Sequence, residues 1–398
     1  MATDTTDIVI AGGGIAGLSA SCAFGAAGFR TLCVDPISPV IDRAEDGADL
    51  RTTAFLQPAR SFLEEAGVWA SLAPHATALR TMRIVDAGEA AGSGRVQKDF
   101  IASDIGETEF GYNLPNTQIR DTLLGRLTAI SNVAFRSEVA VEALDPNSSG
   151  VTVTLSDGTS VEARLLVAAD GRDSFVRQAL KIGVQRYEFG QMALAFAVSH
   201  ERPHHNVSTE VHRTGGPFTL VPLPDYERGP SSAVVWMETT ARAQRLLQLD
   251  NAAFEALATE RSAGVMGRLK LITPRSAWPI VSQIAHRFHG PRTALVAEAA
   301  HVMPPIGAQG LNTSLRDLQS LLDLARNMPQ KIGEPVMLRR YHCSRYADVA
   351  SRLIGISALN RVSMASPLPL QGIRATGLTL LHGVTPVRKA LMRMGLGV

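Results

Sequence analysis

Hydrophobic and polar positions follow two different periods in the first 35 residues of the chain. Residues 8–10 are a β-branched run, residues 15–27 are rich in alanine, and residues 31–34 are again of β type. Glycines separate the first run from the alanine-rich stretch, and Gly28 follows that stretch. We therefore expect a strand, a glycine turn, a helix and a second strand that ends at Asp35, which together form a βαβ unit.

Further along, the pattern predicts more strands. Residues 151–156 alternate Val or Leu with Thr or Ser and run into Asp157-Gly158, which is typical of a hairpin. Residues 165–169 are uninterrupted apolar residues, as in a strand that is buried on both faces. From residue 192 to residue 238, β-rich runs are separated by Pro, Gly and His, which indicates a second, antiparallel domain.

The C-terminal part is predicted to be helical and to end in a basic tail. Leucines repeat at helical spacing in residues 311–322, and the chain beyond residue 335 stays helical until residues 366–369 interrupt it. No Asp or Glu follows Asp348, whereas six basic residues do. A basic, leucine-rich tail favours contact with an anionic surface. The six are Arg352, Arg361, Arg374, Arg388, Lys389 and Arg393.

Charge and cysteine content exclude several classes of protein. Lys plus Arg number 39 against 37 Asp plus Glu, a net charge of +2, so nothing favours a nucleic acid as partner. Three cysteines without a CxxC pair argue against a disulfide framework or a thiolate metal site. A group of histidines has no ligand set at metal-binding spacing, so we interpret them as surface loop residues and expect no metal. They are His200, His204, His205 and His212.

The start of the chain does not have the features of an export signal. Asp4 and Asp7 precede the first apolar run and no basic residue does. Residues 8–29 carry no charge and are numerous enough to span a membrane, but their six glycines and short β run fit the βαβ unit better. We expect a cytoplasmic protein, with the basic tail in peripheral contact with the inner face of the membrane.

The glycine turn of residues 12–17 has the spacing G-x-G-x-x-G between a strand and a helix. Its glycines permit a tight turn and close approach of a pyrophosphate to the helix N-terminus, and an acid at the end of the second strand accepts from a ribose hydroxyl. The turn predicts dinucleotide binding but does not separate FAD from NAD. The predicted contacts are Gly12, Gly14, Ile15, Ala16, Gly17 and Asp35.

Three further segments favour FAD. Residues 49–54 (DLRTTA), residues 166–177 (LVAADGRDSFVR) and residues 297–317, which begin AEAAH, resemble the motifs of the class A flavoprotein monooxygenases, the aromatic-ring hydroxylases. Within that family, residues 305–312 (PIGAQGLN), the Leu- and Arg-rich ending and residues 116–120 (NTQIR) are similar to the ubiquinone-biosynthesis hydroxylases. The resemblance runs along the whole chain in the family's order.

The resemblance implies the fold, the cofactors and the reaction. We expect an α/β fold with a Rossmann-like FAD-binding domain (1–74, 100–182 and 275–345), an inserted antiparallel β-sheet substrate domain (75–99 and 183–274) and a C-terminal helical region (346–398). NADH or NADPH would reduce FAD, O2 would form a flavin C4a-hydroperoxide, and one oxygen would pass to a hydrophobic phenol, in this branch a polyprenylated ubiquinone precursor. The family also implies membership of a ubiquinone-biosynthesis protein complex.

The family's motifs also suggest which residues bind the cofactor and substrate. Apolar residues that would exclude water from the ring are nominated from the predicted β domain and the 304–310 loop: Phe218, Pro222, Trp236 and Pro305. No residue is required as a general base. The further FAD contacts are Arg51, Gln118, Arg120, Asp170, Glu298, Gly307, Gln309, Gly310, Leu311 and Asn312.

The chain departs from the family's motifs at a few positions. Ala297-Glu298 stands where Gly-Asp is usual, Ala308 replaces a glycine, and Thr313-Ser314 ends what is usually Asn-x-Gly. Glu298 can still accept hydrogen bonds from the ribityl chain, and alanine is tolerated where φ is negative. Two alternatives remain open: a prenyl reductase of the same fold, and a non-enzymic flavoprotein partner.

Overall fold

The computed structural model describes residues 4–87, 96–213, 215–227, 229–364 and 382–396. Residues 365–381, which include the predicted helix break and Arg374 of the basic tail, lie outside these ranges.

Within these ranges the strands are β1 (Asp4–Ala11), β2 (Thr31–Asp35), β3 (Thr52–Leu56), β4 (Thr77–Leu79), β5 (Thr81–Asp86), β6 (Val96–Ile101), β7 (Gly111–Pro115), β8 (Val133–Ser137), β9 (Val141–Pro146), β10 (Val151–Leu155), β11 (Ser160–Ala168), β12 (Val184–His200), β13 (Val207–His212), β14 (Pro217–Tyr226), β15 (Gly229–Thr239), β16 (Leu269–Leu271), β17 (Ser276–Ala285), β18 (His289–Gly290), β19 (Thr293–Leu295) and β20 (His301–Val302). The α-helices are α1 (Ile15–Ala26), α2 (Gln57–Glu65), α3 (Trp69–Leu72), α4 (Asn116–Thr128), α5 (Phe175–Ala179), α6 (Thr240–Leu247), α7 (Asn251–Arg261), α8 (Gln309–Asn327), α9 (Pro335–Met364) and α10 (Thr385–Leu396). Short 3-10 helices cover Ala73–His75, Ala102–Ile105, Ala297–Ala299 and Pro329–Lys331.

The first sheet contains the predicted βαβ unit. β1 pairs in parallel with β2 on one side and with β11 on the other, and β8 and β19 extend the parallel order outward. Ile8, Val9 and Ile10 of β1 are all fully buried. Consecutive buried residues in one strand require cover on both faces of the sheet, as the continuous apolar run of residues 165–169 also predicts.

One long strand joins the predicted hairpin to the parallel strands. β11 begins antiparallel to β10 and then pairs in parallel with β19 along the same edge, which confirms the hairpin at Asp157-Gly158. The carboxyl ends of β1, β11 and β19 therefore lie side by side. Because parallel sheets bind ligands beyond the carboxyl ends of their strands, the loops that follow these three strands define the expected site.

The second sheet has the order β20-β17-β12-β15-β14-β13-β5-β6 and is mostly antiparallel. β12, β14 and β15 are the three β-rich runs that the sequence predicts. β17 pairs antiparallel with β12 over its whole length, so Ser276–Ala285 belongs to this sheet, although residues 275–345 were expected in the FAD-binding domain. β3, β7 and β4 form a small third sheet.

Helices complete both domains and place one loop between them. α8 begins at Gln309, three residues before the start expected near Asn312, and α9 confirms the helix beyond residue 335. α6 and α7 cover one face of the second sheet. On the other face, Ile306 packs against the second sheet and also against the hydrophobic core around the first sheet, here called the first core. The 304–310 loop therefore lies between the two domains. Within the described ranges, no helix combines the length and the hydropathy needed to cross a membrane.

Candidate active site

Two glycines of the turn after β1 have no room for a side chain, whereas a third glycine has free space beside it. A Cβ at Gly12, where φ is +108°, would lie 2.4 Å from the carbonyl oxygen of Ala169, and a Cβ at Gly17 would lie 1.8 Å from that of Gly12. A Cβ at Gly14 would meet no atom of the residues that the structure describes within 4 Å. Gly14 caps α1 without a side-chain hydrogen bond, so the first amides of the helix remain available to an anion.

Asp35 lies beside this turn, as predicted. One carboxylate oxygen accepts from the backbone amide of Gly13 at 2.5 Å, and the other accepts from that of Ile37 at 2.8 Å. Each carboxylate oxygen has a second lone pair. Asp35 therefore fixes the shape of the turn and keeps acceptor capacity for a ribose hydroxyl.

Arg51 is held between a carboxylate and an indole ring. Its Nε and Nη2 donate to Asp49 at 2.6 and 2.7 Å, and its guanidinium carbon lies 5.2 Å from the ring centroid of Trp278. Hydrogen bonding to Asp49 raises the pKa of Arg51. Burial alone would raise the pKa of Asp49, but hydrogen bonds from Arg51 and Asn116 outweigh burial, and the net shift is downward. Both groups therefore stay charged.

Two further predicted FAD contacts, Gln118 and Arg120, lie in the first turns of α4. Arg120 donates from Nη1 to the carbonyl oxygen of Val40 at 3.0 Å, and its buried Nε has no hydrogen-bond partner among the described residues. Gln118 donates weakly to Thr122 at 3.4 Å, which leaves its amide oxygen uncommitted in that contact. A buried, unpartnered guanidinium nitrogen is costly unless a ligand satisfies it.

Asp170 and Glu298 approach the site from the ends of β11 and β19. Asp170 accepts from the hydroxyl of Ser174 at 2.6 Å and from the amide of Val176 at 3.0 Å, and burial raises its pKa. Glu298 lies 3.7 Å from Arg172, with 54% of its side chain exposed. The structure thus brings the Asp-Gly segment and the second flavin segment together, with Arg172 between them.

The two alanines that replace glycines are in left-handed backbone conformations. Ala297 has φ of +53° and Ala308 has φ of +56°. Position 308 therefore does not have the negative φ at which alanine replaces glycine without strain. Left-handed backbone costs an alanine about 1–2 kcal/mol relative to the right-handed form, so both ends of this segment are strained where the family has glycine.

The side-chain carboxamides of Asn312 and Gln309 form hydrogen bonds within the chain. Asn312 donates to the carbonyl oxygens of Ala54 and Ala308 at 2.7 and 2.6 Å, and it accepts from the amide of Leu56 at 2.8 Å. Gln309 is likewise bonded through both its nitrogen and its oxygen. These two side chains hold the loop in place, so a cofactor would meet the backbone of this segment rather than their amide groups. Of the other predicted contacts, Ile15, Ala16 and Leu311 pack against the first core, Pro305 is half-buried, and Gly307 and Gly310 are exposed.

Phe218 and Trp236, nominated for the substrate pocket, lie on the opposite face of the second sheet. Both are fully buried and pack edge to face with ring centroids 5.5 Å apart, and Trp236 also contacts Phe254 of α7. They are core residues beneath the helices, so the prediction is wrong for these two. Pro222 is buried too, and its carbonyl oxygen accepts from Asn113 of the small third sheet at 2.9 Å.

The face of the second sheet that meets the 304–310 loop is formed by the strand neighbours of the nominated residues. Ala193, Met237 and Ile280 belong to a separate buried apolar cluster. Val235, Trp278 and Ile306 pack against this cluster. Because successive strand residues point to opposite faces, the neighbours of the nominated residues, rather than those residues themselves, line the space between the domains.

The histidines are not all surface residues. His200 is buried: its Nδ1 donates to the carbonyl oxygen of Arg202 at 2.8 Å, and its Nε2 accepts from Ser232 at 2.9 Å. His212 lies in β13 and pairs with Glu210 at 2.7 Å. The interpretation as solvated loop histidines therefore fails for these two. In the ranges described, no three His, Cys, Asp or Glu side chains converge as metal ligands.

The sequence of residues 5–354 matches the FAD binding domain family. The chain belongs to this family. Ubiquinone hydroxylase UbiL of Rhodospirillum rubrum is 30% identical over 399 residues, which cover 100% of this flavoprotein and 90% of the relative. The 3-demethoxyubiquinol 3-hydroxylase of Escherichia coli is 26% identical over 403 residues and covers 100% of both chains. The resemblance to the class A flavoprotein monooxygenases is thus confirmed.

Solved structures confirm the fold of the flavoprotein. The crystal structure of p-nitrophenol 4-monooxygenase PnpA from Pseudomonas putida superposes with a TM-score of 0.80, covering 99% of each chain at 17% identity. At that identity the likeness establishes the α/β architecture alone. The family membership establishes the cofactor and the class of reaction: this is an FAD-dependent monooxygenase that uses NADH or NADPH and O2.

The residues present fit FAD. The uncapped start of α1 beside Gly14 suits a pyrophosphate, and the buried Nε of Arg120 lacks a partner in the part of the chain that the structure describes. α8 also begins without a side-chain cap, at Ala308. All three features lie in segments that the sequence motifs single out. Sequence reasoning missed Trp278 and Arg172: the indole had no motif around it, and Arg172 lay inside the Asp-Gly motif without being singled out.

Proposed function

We propose that this flavoprotein hydroxylates the phenolic ring of a polyprenylated ubiquinone precursor. The relatives named above are ubiquinone hydroxylases that align with the whole chain. The observation that carries the proposal is the position of Ile306, which packs against the first core and against the apolar face of the second sheet. An apolar face opposite the flavin segments suits a hydrophobic phenol.

The proposed cofactor contacts divide by the part of FAD that they suit. The amides after Gly14 would hold the pyrophosphate and Asp35 a ribose hydroxyl. Arg120 and Gln118 approach from α4, and Asp170, Arg172 and Glu298 from the strand ends. When bound, FAD supplies the redox chemistry, since it is reduced by NAD(P)H and then activates O2.

The chain contributes binding, orientation and exclusion of water. The uncapped N-terminus of α8 directs amide groups and a positive dipole end at the loop, which favours negative charge there. Arg51 adds a fixed positive charge, because Asp49 and Trp278 hold its guanidinium from two sides. The face of Ala193, Val235 and Met237 offers an apolar surface that would exclude water from the ring.

Oxygen labelling tests the proposed reaction. NAD(P)H consumption would be followed with a panel of prenylated phenols under 18O2, and the products weighed by mass spectrometry. We expect consumption stimulated by the prenylated phenols and a product that gains one labelled oxygen. A product that gains two hydrogens and no label would instead show the prenyl reductase, and stimulation by short soluble phenols alone would refute the polyprenylated substrate.

We also propose that the outer face of α9 contacts an anionic membrane surface. Ile354, Leu359 and Val362 are 71, 60 and 52% exposed, and they share one face of α9 with the exposed Arg361. No acid follows Asp348 in the chain. Exposed apolar side chains beside a cation, without an acid, suit the interface of an anionic bilayer, which is where a polyprenylated substrate resides.

Co-sedimentation with vesicles tests this contact. The intact protein should bind vesicles that contain anionic lipid better than neutral ones at low salt, and Ile354→Asn should weaken the binding. Ile37→Asn is the matched control, because Ile37 is 70% exposed in a loop of the first domain. Equal binding to both kinds of vesicle would refute the membrane contact and would favour a partner protein on this face.

A further inference from the structure

We propose that Gln309 is the anchor that fixes the 304–310 loop to the two C-terminal helices, and that Arg352 positions it. The role is distinct from direct cofactor contact, which the family motif suggests for this residue. The inference rests on the assignment of the loop to the flavin, and it does not depend on the identity of the substrate.

The carboxamide of Gln309 joins three separate segments of the chain. Its Nε2 donates to the carbonyl oxygen of Gly307 at 2.9 Å and to that of Gly395 in α10 at 2.8 Å. Its Oε1 accepts from Nη1 of Arg352 in α9 at 3.1 Å. A carboxamide nitrogen has two hydrogens to donate. Both are used, so the side chain has no donor left for a cofactor.

Arg352 is held in turn by a series of alternating charges. Its Nε donates to Asp348 at 2.9 Å, and Asp348 also accepts from Arg345 at 2.8 Å. Arg345 donates to Asp317 at 2.9 Å, and the fully buried Asp317 accepts from His301 at 2.6 Å. This series runs from the first core to the loop. Asp348 lies between Arg345 and Arg352, and Asp317 accepts from Arg345 and from His301, so a paired network supports the contact on Gln309.

The loop needs such an anchor because its backbone is strained where Gln309 holds it. Gly307 and Ala308 have φ of +63° and +56°, two left-handed residues in succession. The bond from Gln309 to Gly307 closes the turn that they form. Backbone strain persists only where surrounding contacts over-determine it. Without the carboxamide, the loop would relax and the amides at the start of α8 would change direction.

The anchor also makes the position of α10 part of the flavin site. Gly395 lies near the end of α10, and Met392 packs with Leu56 and Phe110 in a small apolar cluster. Leu56 is the residue whose amide Asn312 fixes. Deletion of the C-terminal segment would therefore disturb the loop as well as any membrane contact.

Substitutions at the two ends of one hydrogen bond test the anchor. Gln309→Glu keeps the size of the side chain but aims a carboxylate at two carbonyl oxygens, and Gln309→Met removes the polar groups. Arg352→Gln removes the positioning cation, and Arg339→Gln is the control, since Arg339 is exposed on the same helix. The readouts are the FAD dissociation constant, the visible spectrum of the bound flavin and the melting temperature of the apoprotein.

We expect FAD binding to weaken about tenfold in Gln309→Glu and in Gln309→Met, because the loss of a hydrogen bond to a charged group changes a dissociation constant by about that factor. The effect of Arg352→Gln should be smaller. The flavin absorption bands should shift in all three, while the control is unchanged. Because Arg352→Gln and Gln309→Met act through one contact, the double variant should bind FAD about as weakly as Gln309→Met alone.

Two results would overturn the inference. If Arg352→Gln leaves both the FAD dissociation constant and the spectrum unchanged while Gln309→Met alters them, Gln309 contacts the flavin directly. If none of the variants changes the spectrum or the affinity, the loop does not depend on this anchor. No phenol enters these measurements, so their failure is distinguishable from a failure of the proposed substrate.

Discussion

The guanidinium of Arg51 lies over the indole ring of Trp278, 5.2 Å from its centroid. Arg51 precedes β3 in the first domain, whereas Trp278 belongs to β17 of the second sheet, so this contact crosses between the domains. Asp49 orients the guanidinium through two hydrogen bonds, at 2.6 and 2.7 Å. The planar fork of arginine is needed for this arrangement, because it pairs with a carboxylate in its plane and stacks on a ring with its face.

Arg51→Lys should therefore weaken FAD binding although the charge is kept. A lysine cannot pair with both oxygens of Asp49 and stack on Trp278, and the loss of about 1–2 kcal/mol corresponds to roughly a tenfold rise in the FAD dissociation constant. Flavin fluorescence titration measures it. Arg83→Lys is the matched control, since Arg83 makes the same paired contact with Asp99 in the second sheet. Equal affinities in the two variants would contradict the role of Arg51.

Two glycines of the same motif should respond differently to valine. Within the described ranges, the Cβ of a substituted Gly14 would meet no atom within 4 Å, whereas the Cβ of a substituted Gly17 would lie 1.8 Å from a carbonyl oxygen. We expect Gly14→Val to fold with the melting temperature of the wild-type apoprotein but to lose FAD, because its side chain fills the approach to the helix N-terminus. Gly17→Val should lose both. Yellow, FAD-loaded Gly14→Val protein would refute the assignment.

Ala308→Gly should stabilise the apoprotein. Release of the left-handed strain at φ +56° gains about 1–2 kcal/mol, and the greater freedom of glycine in the unfolded chain costs about 0.5–1 kcal/mol. The expected net gain is roughly 0.5–1 kcal/mol in urea unfolding. Ala252→Gly in α7 is the control and should destabilise, since that alanine is helical. A loss of stability in both variants would show that position 308 is not strained.

The sequence predicted those parts of the fold whose signals are local. The β1-α1-β2 unit, the hairpin at residues 157–158 and a helix over residues 311–322, which the structure extends to Gln309–Asn327, follow from periodicity and turn residues alone. The face of the second sheet could not be predicted, because both faces of β15 are apolar: Val234 and Trp236 face the helices, and Val235 and Met237 face the loop. Without polar and apolar alternation, nothing in the strand distinguishes the two sides.

The side-chain contacts of the loop were also beyond sequence reasoning. Gln309 and Asn312 lie within a motif that suggests cofactor contact, and besides one local partner each they bond to residues 43 to 258 positions away in the chain. Such pairings depend on how the helices and β3 pack together. The motif therefore placed these residues correctly at the loop, but it did not specify whether each side chain or only its backbone faces the cofactor.

His200 should make the fold less stable in mild acid. Burial lowers its pKa below the ordinary value of 6.5, and its Nε2 accepts a hydrogen bond from Ser232, so the folded protein favours the neutral ring. As the pH falls below about 6.5, the unfolded chain binds a proton that the folded chain resists, and the unfolding free energy decreases by at most about 1.4 kcal/mol per pH unit for this group. Above that pH the contribution is constant.

Urea unfolding at pH 7.5, 6.5 and 5.5 measures this dependence. His200→Gln removes the titrating group, so its unfolding free energy should fall less steeply between pH 6.5 and pH 5.5 than that of the wild type. His205→Gln is the control, because His205 is exposed. An identical acid slope in wild type and His200→Gln would assign the pH dependence to other groups, such as His289 and His342, whose pKa values burial also lowers.

Adjacent residues of β15 should have opposite effects on folding and on catalysis. Trp236 is fully buried among Phe218 and Phe254, so Trp236→Ala should cost about 3–5 kcal/mol of stability through the cavity it leaves. Val235 faces the loop together with Met237, so Val235→Phe adds bulk to the proposed substrate surface. We expect Val235→Phe to keep its FAD content and melting temperature but to raise KM for the phenol and to release more H2O2 per NAD(P)H oxidised. If Val235→Phe unfolds and Trp236→Ala alters only KM, the assignment of the two faces of this sheet is reversed.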